Sequence, residues 1–153
     1  MRNIRTAEVL VAKVLRRLRN ELGQRDEKLF TMIRHELEVL RKLEHKNLVK
    51  MIDHERLNSS RIVLYLEHMS EGSLANVVQR ESNRLLESII KVYTRQILLA
   101  IKHLHKHGIV YGDLKCENIL IDQSGYAKLT DFGSVHFLDK NKTKLQTMVR
   151  FSY

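Results

Sequence analysis

Two carboxylates, a lysine and an amide lie close together in the second half of the sequence. Asp113, Lys115 and Asn118 fall in a polar stretch between two short apolar runs, and Asp131 follows the next such run. Apolar runs of this length, bounded by Gly and Asp, are typical of short buried strands, which would place the polar residues in loops. Carboxylate and amide oxygens on adjacent loop ends would suit Mg²⁺. Alternatively, the same acids and amide could be turn formers between strands.

The order of these residues, Asp-x-Lys-x-x-Asn and then Asp-Phe-Gly, resembles the catalytic loop and the metal loop of eukaryotic protein kinases. Asn118 lies five residues after Asp113, and Asp131 lies eighteen residues after it, which are spacings usual in that family. The resemblance implies that Asp113 accepts the proton of the substrate hydroxyl and that Lys115 steadies the transferring phosphate. It also implies that Asn118 and Asp131 hold Mg²⁺. ATP and Mg²⁺ are thus the implied cofactors, and a protein hydroxyl is the implied acceptor.

An apolar run near the amino terminus contains one lysine. Residues 8–15 are predicted to form a strand, with Lys13 among Val, Leu and Ala. A lysine in a mostly buried strand is costly unless it meets an anion, although on an edge strand it could point to water. The sequence Leu-Val-Ala-Lys that ends at Lys13 resembles the family's V-A-I-K strand, whose lysine binds the ATP phosphates and pairs with a helix glutamate.

The glutamate that this lysine requires is expected on an amphipathic helix. From about residue 27 to residue 43, apolar residues recur every three or four positions, which predicts a helix with one apolar face. Several acids lie on or near this helix, so the next segment must decide between them. Residues 43–49, Leu-Glu-His-Lys-Asn-Leu-Val, resemble the family's L-x-H-P-N-I-V. That alignment implies Glu36 as the partner of Lys13.

The segment 67–74 resembles the hinge between the two lobes of the kinase fold. The resemblance implies that the backbone of Glu67 and Met69 binds adenine, because backbone at such a junction has free N–H and C=O groups. Leu120 is implied as the floor under the adenine ring. The sequence Met-Ser-Glu-Gly-Ser-Leu resembles the mitogen-activated kinase kinase kinases, and Lys115 favours serine/threonine over tyrosine specificity.

Two substitutions and two absences separate the sequence from the complete family pattern. Tyr111 stands in place of the catalytic-loop histidine, and Gly112 replaces the arginine that pairs with an activation-loop phosphate in many relatives. We therefore expect phosphorylation of that loop to activate weakly at best. The sequence contains no G-x-G-x-x-G loop, and it stops at Tyr153 before an A-P-E segment.

The expected fold class is α+β, a partial protein-kinase-like fold that is truncated at both ends. It should have a small, β-rich lobe with one helix and the helical start of a larger lobe, which includes a long helix at 85–107. The expected divisions are a partial amino-terminal lobe without its glycine-rich loop, a hinge, and a partial carboxy-terminal lobe that ends in the activation segment: 1–66, 67–74 and 75–153.

Composition limits the classes of protein to consider. The chain has 153 residues, of which 43% are hydrophobic and 29% charged, as in an ordinary globular protein. The single cysteine, Cys116, excludes an internal disulfide and a cysteine-rich zinc site. No apolar run approaches the roughly 20 residues of a membrane span, and no signal-peptide core is present. We therefore expect no membrane partner and a cytoplasmic, intracellular location.

Two alternatives to an active serine/threonine kinase stay open. Without the glycine-rich loop and the substrate platform, the chain could be a catalytically impaired nucleotide-binding or scaffold remnant of a kinase. Its uncovered apolar surface could also promote self-association. The net charge of +9 permits binding to nucleic acid, but only 6% of the residues are aromatic, so a base-stacking surface is not expected.

Overall fold

The computed structural model describes residues 9–16, 36–58, 61–82 and 84–138. Part of the predicted helix, at 27–35, lies outside these described residues. The predicted activation segment after residue 138 lies outside them as well. The account of the fold below concerns the described ranges alone.

A three-stranded antiparallel sheet forms the first half of the described fold. Its strands are β1 (Leu10–Arg16), β2 (Met51–Asn58) and β3 (Arg61–Glu67), in the order β1-β3-β2. Strand β3 is therefore central, and its apolar side chains supply the buried face of the sheet. Lys13 lies at the middle of β1, opposite Leu64 of β3, so pairing with β3 fixes its backbone position.

Helix α1, described over residues 36–42, packs its apolar side against this core. Val39 and Leu40 are buried, and Leu43 continues the same face just after the helix. The three- and four-residue spacing puts Glu36 on that face as well, where only 4% of it is exposed. A buried carboxylate requires a charged partner or several hydrogen bonds.

The second half of the described fold combines two helices with short strands. Helix α2 begins after Ser73, whose hydroxyl accepts the backbone N–H of Asn76, and Asn76 returns a bond to the Ser73 N–H. This reciprocal cap fixes the start of a seven-residue helix. The remaining elements follow in order: β4 (Gly72–Ser73), α2 (Leu74–Arg80), α3 (Glu87–Lys106), β5 (Ile109–Tyr111), β6 (Ile119–Ile121), β7 (Ala127–Leu129) and β8 (Val135–Phe137).

These short strands form two small antiparallel sheets, β4-β6-β7 and β5-β8. Short 3₁₀ helices precede β6 and β8, at Cys116–Asn118 and Phe132–Ser134. Strand β7 links the two halves of the described fold. Its Leu129 is fully buried and forms a parallel bridge to Leu48, in the segment between α1 and β2. One continuous apolar core therefore joins the first sheet, α3 and the short strands.

The predicted α+β class with a protein-kinase-like arrangement is confirmed. The predicted long helix at 85–107 corresponds to α3, and the strand expected at 8–15 corresponds to β1. The predicted divisions at 1–66, 67–74 and 75–153 stay predictions. Across the described part of the chain, the structure contains no helix with the length and apolar character needed to cross a membrane.

Candidate active site

Lys13 joins two acids that are distant in sequence. Its Nζ lies 2.6 Å from Oε1 of Glu36 on α1 and 3.0 Å from Oδ1 of Asp131, which follows β7. The Glu36 side chain is 5% exposed, whereas that of Asp131 is 50% exposed. One lysine therefore connects a strand, a helix and a loop, with a buried acid on one side and a solvent-facing acid on the other.

The ionisation of Lys13 and Glu36 depends on the contact between them. Burial alone would lower the pKa of Lys13, but the charge of Glu36 and hydrogen bonds to both acids outweigh burial and raise it. Burial raises the pKa of Glu36, and the charge of Lys13 offsets this only in part. The Glu36 carboxylate therefore relies on Lys13 to remain ionised inside the core.

The backbone at Asp131 is held in an unusual conformation. Its φ and ψ angles are 59° and 73°, in the left-handed region that few residues other than glycine adopt. The preceding residue is fixed on both sides, since Thr130 donates its N–H to the Asn118 carbonyl at 3.0 Å and accepts the Tyr111 hydroxyl at 2.5 Å. Such strain persists only where the surroundings determine it, and it occurs most often at functional sites.

Tyr111 contributes both a hydroxyl and a ring to this arrangement. Its ring meets Phe132 edge-on, with the two centroids 6.0 Å apart. Burial, followed by the charges of Asp131 and Asp113, raises the pKa of Tyr111 above its ordinary value. The hydroxyl is therefore a neutral donor at physiological pH, and it ties the end of β5 to the loop that carries Asp131.

Asp113 is surrounded by donors from its own loop. Its Oδ2 lies 2.7 Å from Nζ of Lys115 and 2.8 Å from Nδ2 of Asn118. The same amide nitrogen also donates to the Asp113 carbonyl at 2.9 Å, which closes the loop upon itself. The hydrogen bond from Lys115, followed by that from Asn118, holds the pKa of Asp113 below its ordinary value. Asp113 is therefore an ionised acceptor near neutral pH.

The predicted Mg²⁺ ligands fit a hard cation. Because the amide nitrogen of Asn118 is engaged with Asp113, its amide oxygen is the atom that a metal would use, and Asp131 adds a half-exposed carboxylate. Two oxygen donors suit Mg²⁺, which keeps waters and phosphate oxygens as its other ligands. Within the described ranges, no three His, Cys, Asp or Glu side chains cluster so as to hold a metal by themselves. The donor set therefore fits a metal shared with phosphate.

The predicted adenine-binding residues Glu67 and Met69 lie at the carboxyl end of β3 and just beyond it. Glu67 is the last residue of β3, and its N–H donates to the Lys50 carbonyl at 3.0 Å. The expectation that the backbone groups here are free is therefore wrong for the Glu67 N–H, because Lys50, just before β2, extends the pairing between β2 and β3. The Met69 carbonyl accepts the Gly72 N–H at 3.2 Å and keeps a second lone pair. Leu120 lies half-buried on β6.

At Gly112 the backbone of another segment comes very close. A Cβ added at this position would lie 2.6 Å from the Ser134 carbonyl oxygen and 3.3 Å from the His136 ring. Strand β5 pairs with β8 in this region, with Tyr111 opposite Val135. Glycine is therefore required here by the close approach of backbone, and its φ is not in the left-handed region.

Sequence reasoning missed two polar residues that position the site. Asn47, fully buried, donates to the Ala127 carbonyl at 2.8 Å, and Gln96 on α3 accepts the Ala127 N–H at 2.6 Å. In the sequence, Asn47 was used only to align residues 43–49 with the family pattern. Gln96 gave no signal, because a glutamine on a long helix is ordinarily exposed.

Comparison with known protein families gives a match along the whole chain. The family model described as "Protein kinase domain" matches residues 1–153. The chain is 36% identical over 111 residues to "Mitogen-activated protein kinase kinase kinase 1" of Arabidopsis thaliana, a match that covers 72% of the chain and 18% of that protein. It is 40% identical over 119 residues to "Serine/threonine-protein kinase shk1/pak1" of Schizosaccharomyces pombe, which covers 78% of the chain and 18% of that protein.

A moss relative agrees with these two. The chain is 34% identical over 118 residues to "Mitogen-activated protein kinase kinase kinase 1b" of Physcomitrium patens, a match that covers 77% of the chain and 15% of that protein. The chain thus spans less than a fifth of the length of these relatives.

Proposed function

Because the chain belongs to the protein kinase family, we propose that it serves the transfer of the γ-phosphoryl group of ATP to serine or threonine hydroxyls of a protein. The observation that carries the proposal is the contact of Lys13 with both Glu36 and Asp131, at 2.6 Å and 3.0 Å. A lysine that bridges a helix acid and a loop acid marks one end of a phosphate site. The serine/threonine-type relatives support the choice of acceptor.

Each polar residue has one task in this proposal. Lys13 neutralises the ATP α- and β-phosphates, and Glu36 holds its ammonium group in place. Asn118 and Asp131 would hold Mg²⁺, which when bound supplies charge neutralisation at the β- and γ-phosphates. The backbone around Glu67 and Met69, with Leu120 below, would hold adenine.

Two residues of the catalytic loop would act at the acceptor hydroxyl. Asp113 orients this hydroxyl and accepts its proton as the phosphoryl group is transferred, and its lowered pKa keeps it ionised for that purpose. Lys115, 2.7 Å from Asp113, lies where it can also contact the transferring phosphate. An ATP-dependent reaction of this kind fits the intracellular location expected from the composition.

Two variants test the proposal on the full chain. With a generic basic protein as acceptor, Asp113→Asn should lower the rate of phosphoryl transfer roughly 10²-fold or more, while Mg–ATP affinity stays within about twofold. Lys13→Met should abolish measurable Mg–ATP affinity, because its ammonium group contacts the phosphates directly. Lys91→Met is the matched control, since Lys91 forms an exposed ion pair with Glu87 on α3.

The other possible outcomes separate the alternatives. Binding of Mg–ATP without transfer to any acceptor supports the nucleotide-binding or scaffold remnant. Salt-sensitive binding to duplex DNA or RNA without nucleotide affinity supports the nucleic-acid alternative. Wild-type affinity for Mg–ATP in Lys13→Met would remove the basis of the proposal.

A further inference from the structure

A second lysine–glutamate pair connects β7 to the end of β3. Nζ of Lys128 lies 2.6 Å from Oε2 of Glu67, and the two side chains are 16% and 24% exposed. The surface ion pair of Lys91 with Glu87, for comparison, has side chains that are 74% and 80% exposed. Exposed pairs of that kind contribute little, whereas a pair withdrawn from water resists separation, because each charge needs its partner.

The other oxygen of the same carboxylate is also bound. Oε1 of Glu67 accepts the backbone N–H of Lys50 at 2.6 Å, and the Glu67 N–H donates to the Lys50 carbonyl at 3.0 Å. Glu67 is thus joined to Lys50 through both its backbone and its side chain. Three segments therefore meet at one carboxylate: the end of β3, the residue before β2, and β7.

The location of this carboxylate relates it to the proposed reaction. Lys128 precedes Asp131 by three residues on the strand that leads into the predicted metal loop, and Glu67 begins the predicted adenine-binding segment. The contact is a direct link between the end of the site that would hold adenine and the end that would hold phosphate. Along the chain, by contrast, residues 68–127 separate Glu67 from Lys128.

We propose that Lys128 is a positioning residue for the nucleotide, an inference that rests on the proposed function. Lys128 holds the Glu67 carboxylate against the Lys50 N–H and so fixes the adenine-binding backbone relative to Asp131. Without its ammonium group, a mostly buried carboxylate lacks its charged partner and turns towards water. The end of β3 then shifts, and a displacement of about 1 Å is enough to impair a site of this kind.

The test compares Lys128→Met with Lys128→Arg in the full chain, with Lys91→Met as the surface control. In Lys128→Met the dissociation constant and the KM for Mg–ATP should rise roughly tenfold, which corresponds to the loss of one charged hydrogen bond. The kcat at saturating ATP should change less than about threefold, because Lys128 does not touch the reacting atoms. Lys128→Arg keeps the charge and should restore most of the affinity.

Hydrogen exchange gives a second result that does not depend on nucleotide. In Lys128→Met the amides of Lys50 and Glu67 should exchange faster, while amides in the interior of α3 keep their protection. Wild-type exchange at both amides overturns the inference, whether or not affinity changes. If Lys128→Met does not fold, Glu67→Gln gives the same comparison, because it keeps an acceptor for the Lys50 N–H and weakens the bond to Lys128.

The two hypotheses can fail separately. If the wild-type chain binds no Mg–ATP, the proposed function fails, and the exchange rates alone decide whether Lys128 positions Glu67. If the wild-type chain binds Mg–ATP and Lys128→Met binds it equally well, the positioning role fails and the proposed function stands.

Discussion

Asp113 accepts hydrogen bonds from Lys115 and Asn118 on a single carboxylate oxygen. Both donors come from the same short loop, so the acid does not need another element to hold it. Because the donors favour the ionised form, the pKa of Asp113 lies below its ordinary value, and the bond from Lys115 is the first cause. A proton acceptor at this position remains charged through the acidic side of neutrality.

Replacement of Lys115 by Met should shift the titration of Asp113 to higher pH. An acid with a lowered pKa loses its charge only at low pH, so removal of the chief cause raises the pKa and moves protonation upward. The carboxyl ¹³C shift of Asp113, followed by NMR against pH, measures this directly. The acidic limb of the pH–rate profile for phosphoryl transfer should move to higher pH by the same amount.

Lys42→Met is the control for this titration, because Lys42 lies in an exposed ion pair with Glu38 on α1. It should leave the Asp113 titration unchanged. Equal titration curves for Lys115→Met and the wild-type chain would show that Lys115 does not control the charge of Asp113.

Motif spacing identified two pairs of polar residues that are in contact in the structure, Lys13 with Asp131 and Asp113 with Asn118. All four belong to short patterns that can be read along the chain. The residues that support them could not be found in this way. The Tyr111 hydroxyl bonds to a backbone carbonyl, and Lys128 bonds to an acid 61 residues away. Contacts of this kind depend on how strands pair in space, which no local pattern specifies.

Strand β7 is held by two segments that are distant in sequence. The Leu129 N–H donates to the Asn47 carbonyl at 2.9 Å, and the Val49 N–H donates to the Leu129 carbonyl at 2.9 Å. On its other side, Ala127 donates its N–H to Gln96 of α3 at 2.6 Å. The strand that leads to Asp131 is therefore anchored both to the segment between α1 and β2 and to the long helix.

Gln96→Leu should destabilise the fold by about 1–3 kcal/mol, because it leaves the buried Ala127 N–H without its acceptor. The free energy of unfolding from denaturant titration measures this effect. Gln79→Leu on α2 is the matched control, since Gln79 is exposed and the same substitution there removes no buried acceptor. Equal unfolding midpoints for the two variants would contradict the anchoring role of Gln96.

The elements themselves were predicted unequally well. Helix α3 was predicted to within two residues at each end, because its apolar residues recur with helical periodicity. Strand β2, which runs from Met51 to Asn58, has a weaker signal in the sequence. Its second half is largely polar and exposed, since β2 lies at the edge of its sheet, and pairing with β3 determines its length more than composition does.

On the scale of the whole molecule, α3 has an apolar face without cover in the described part of the structure. Leu86, just before the helix, and Leu98 are 70% and 59% exposed, and Ile90 is about half exposed. A shallow cavity of about 420 Å³ lies on this face, with Ile90, Leu98 and Leu99 among its lining residues. Contiguous apolar surface of this kind promotes association.

The isolated chain should therefore be marginally stable and should self-associate as its concentration rises. Leu98→Glu should reduce association, because it places a charge at the centre of this face. Gln79→Glu is the control, since it makes the same change of net charge on an exposed site of α2. Light scattering coupled to size exclusion measures the mass of each species. A monomeric wild-type chain with a sharp two-state melt would contradict this expectation.

The close approach of Ser134 to Gly112 also limits the routes by which activation through loop phosphorylation could evolve. Any side chain at position 112 must first displace the Ser134 carbonyl, which lies 2.6 Å from where its Cβ would be. A single codon change to arginine would thus disturb the start of β8 before it provided a phosphate ligand. Two segments would have to change together, so the weak response to loop phosphorylation that we expect should persist in descendants of this gene.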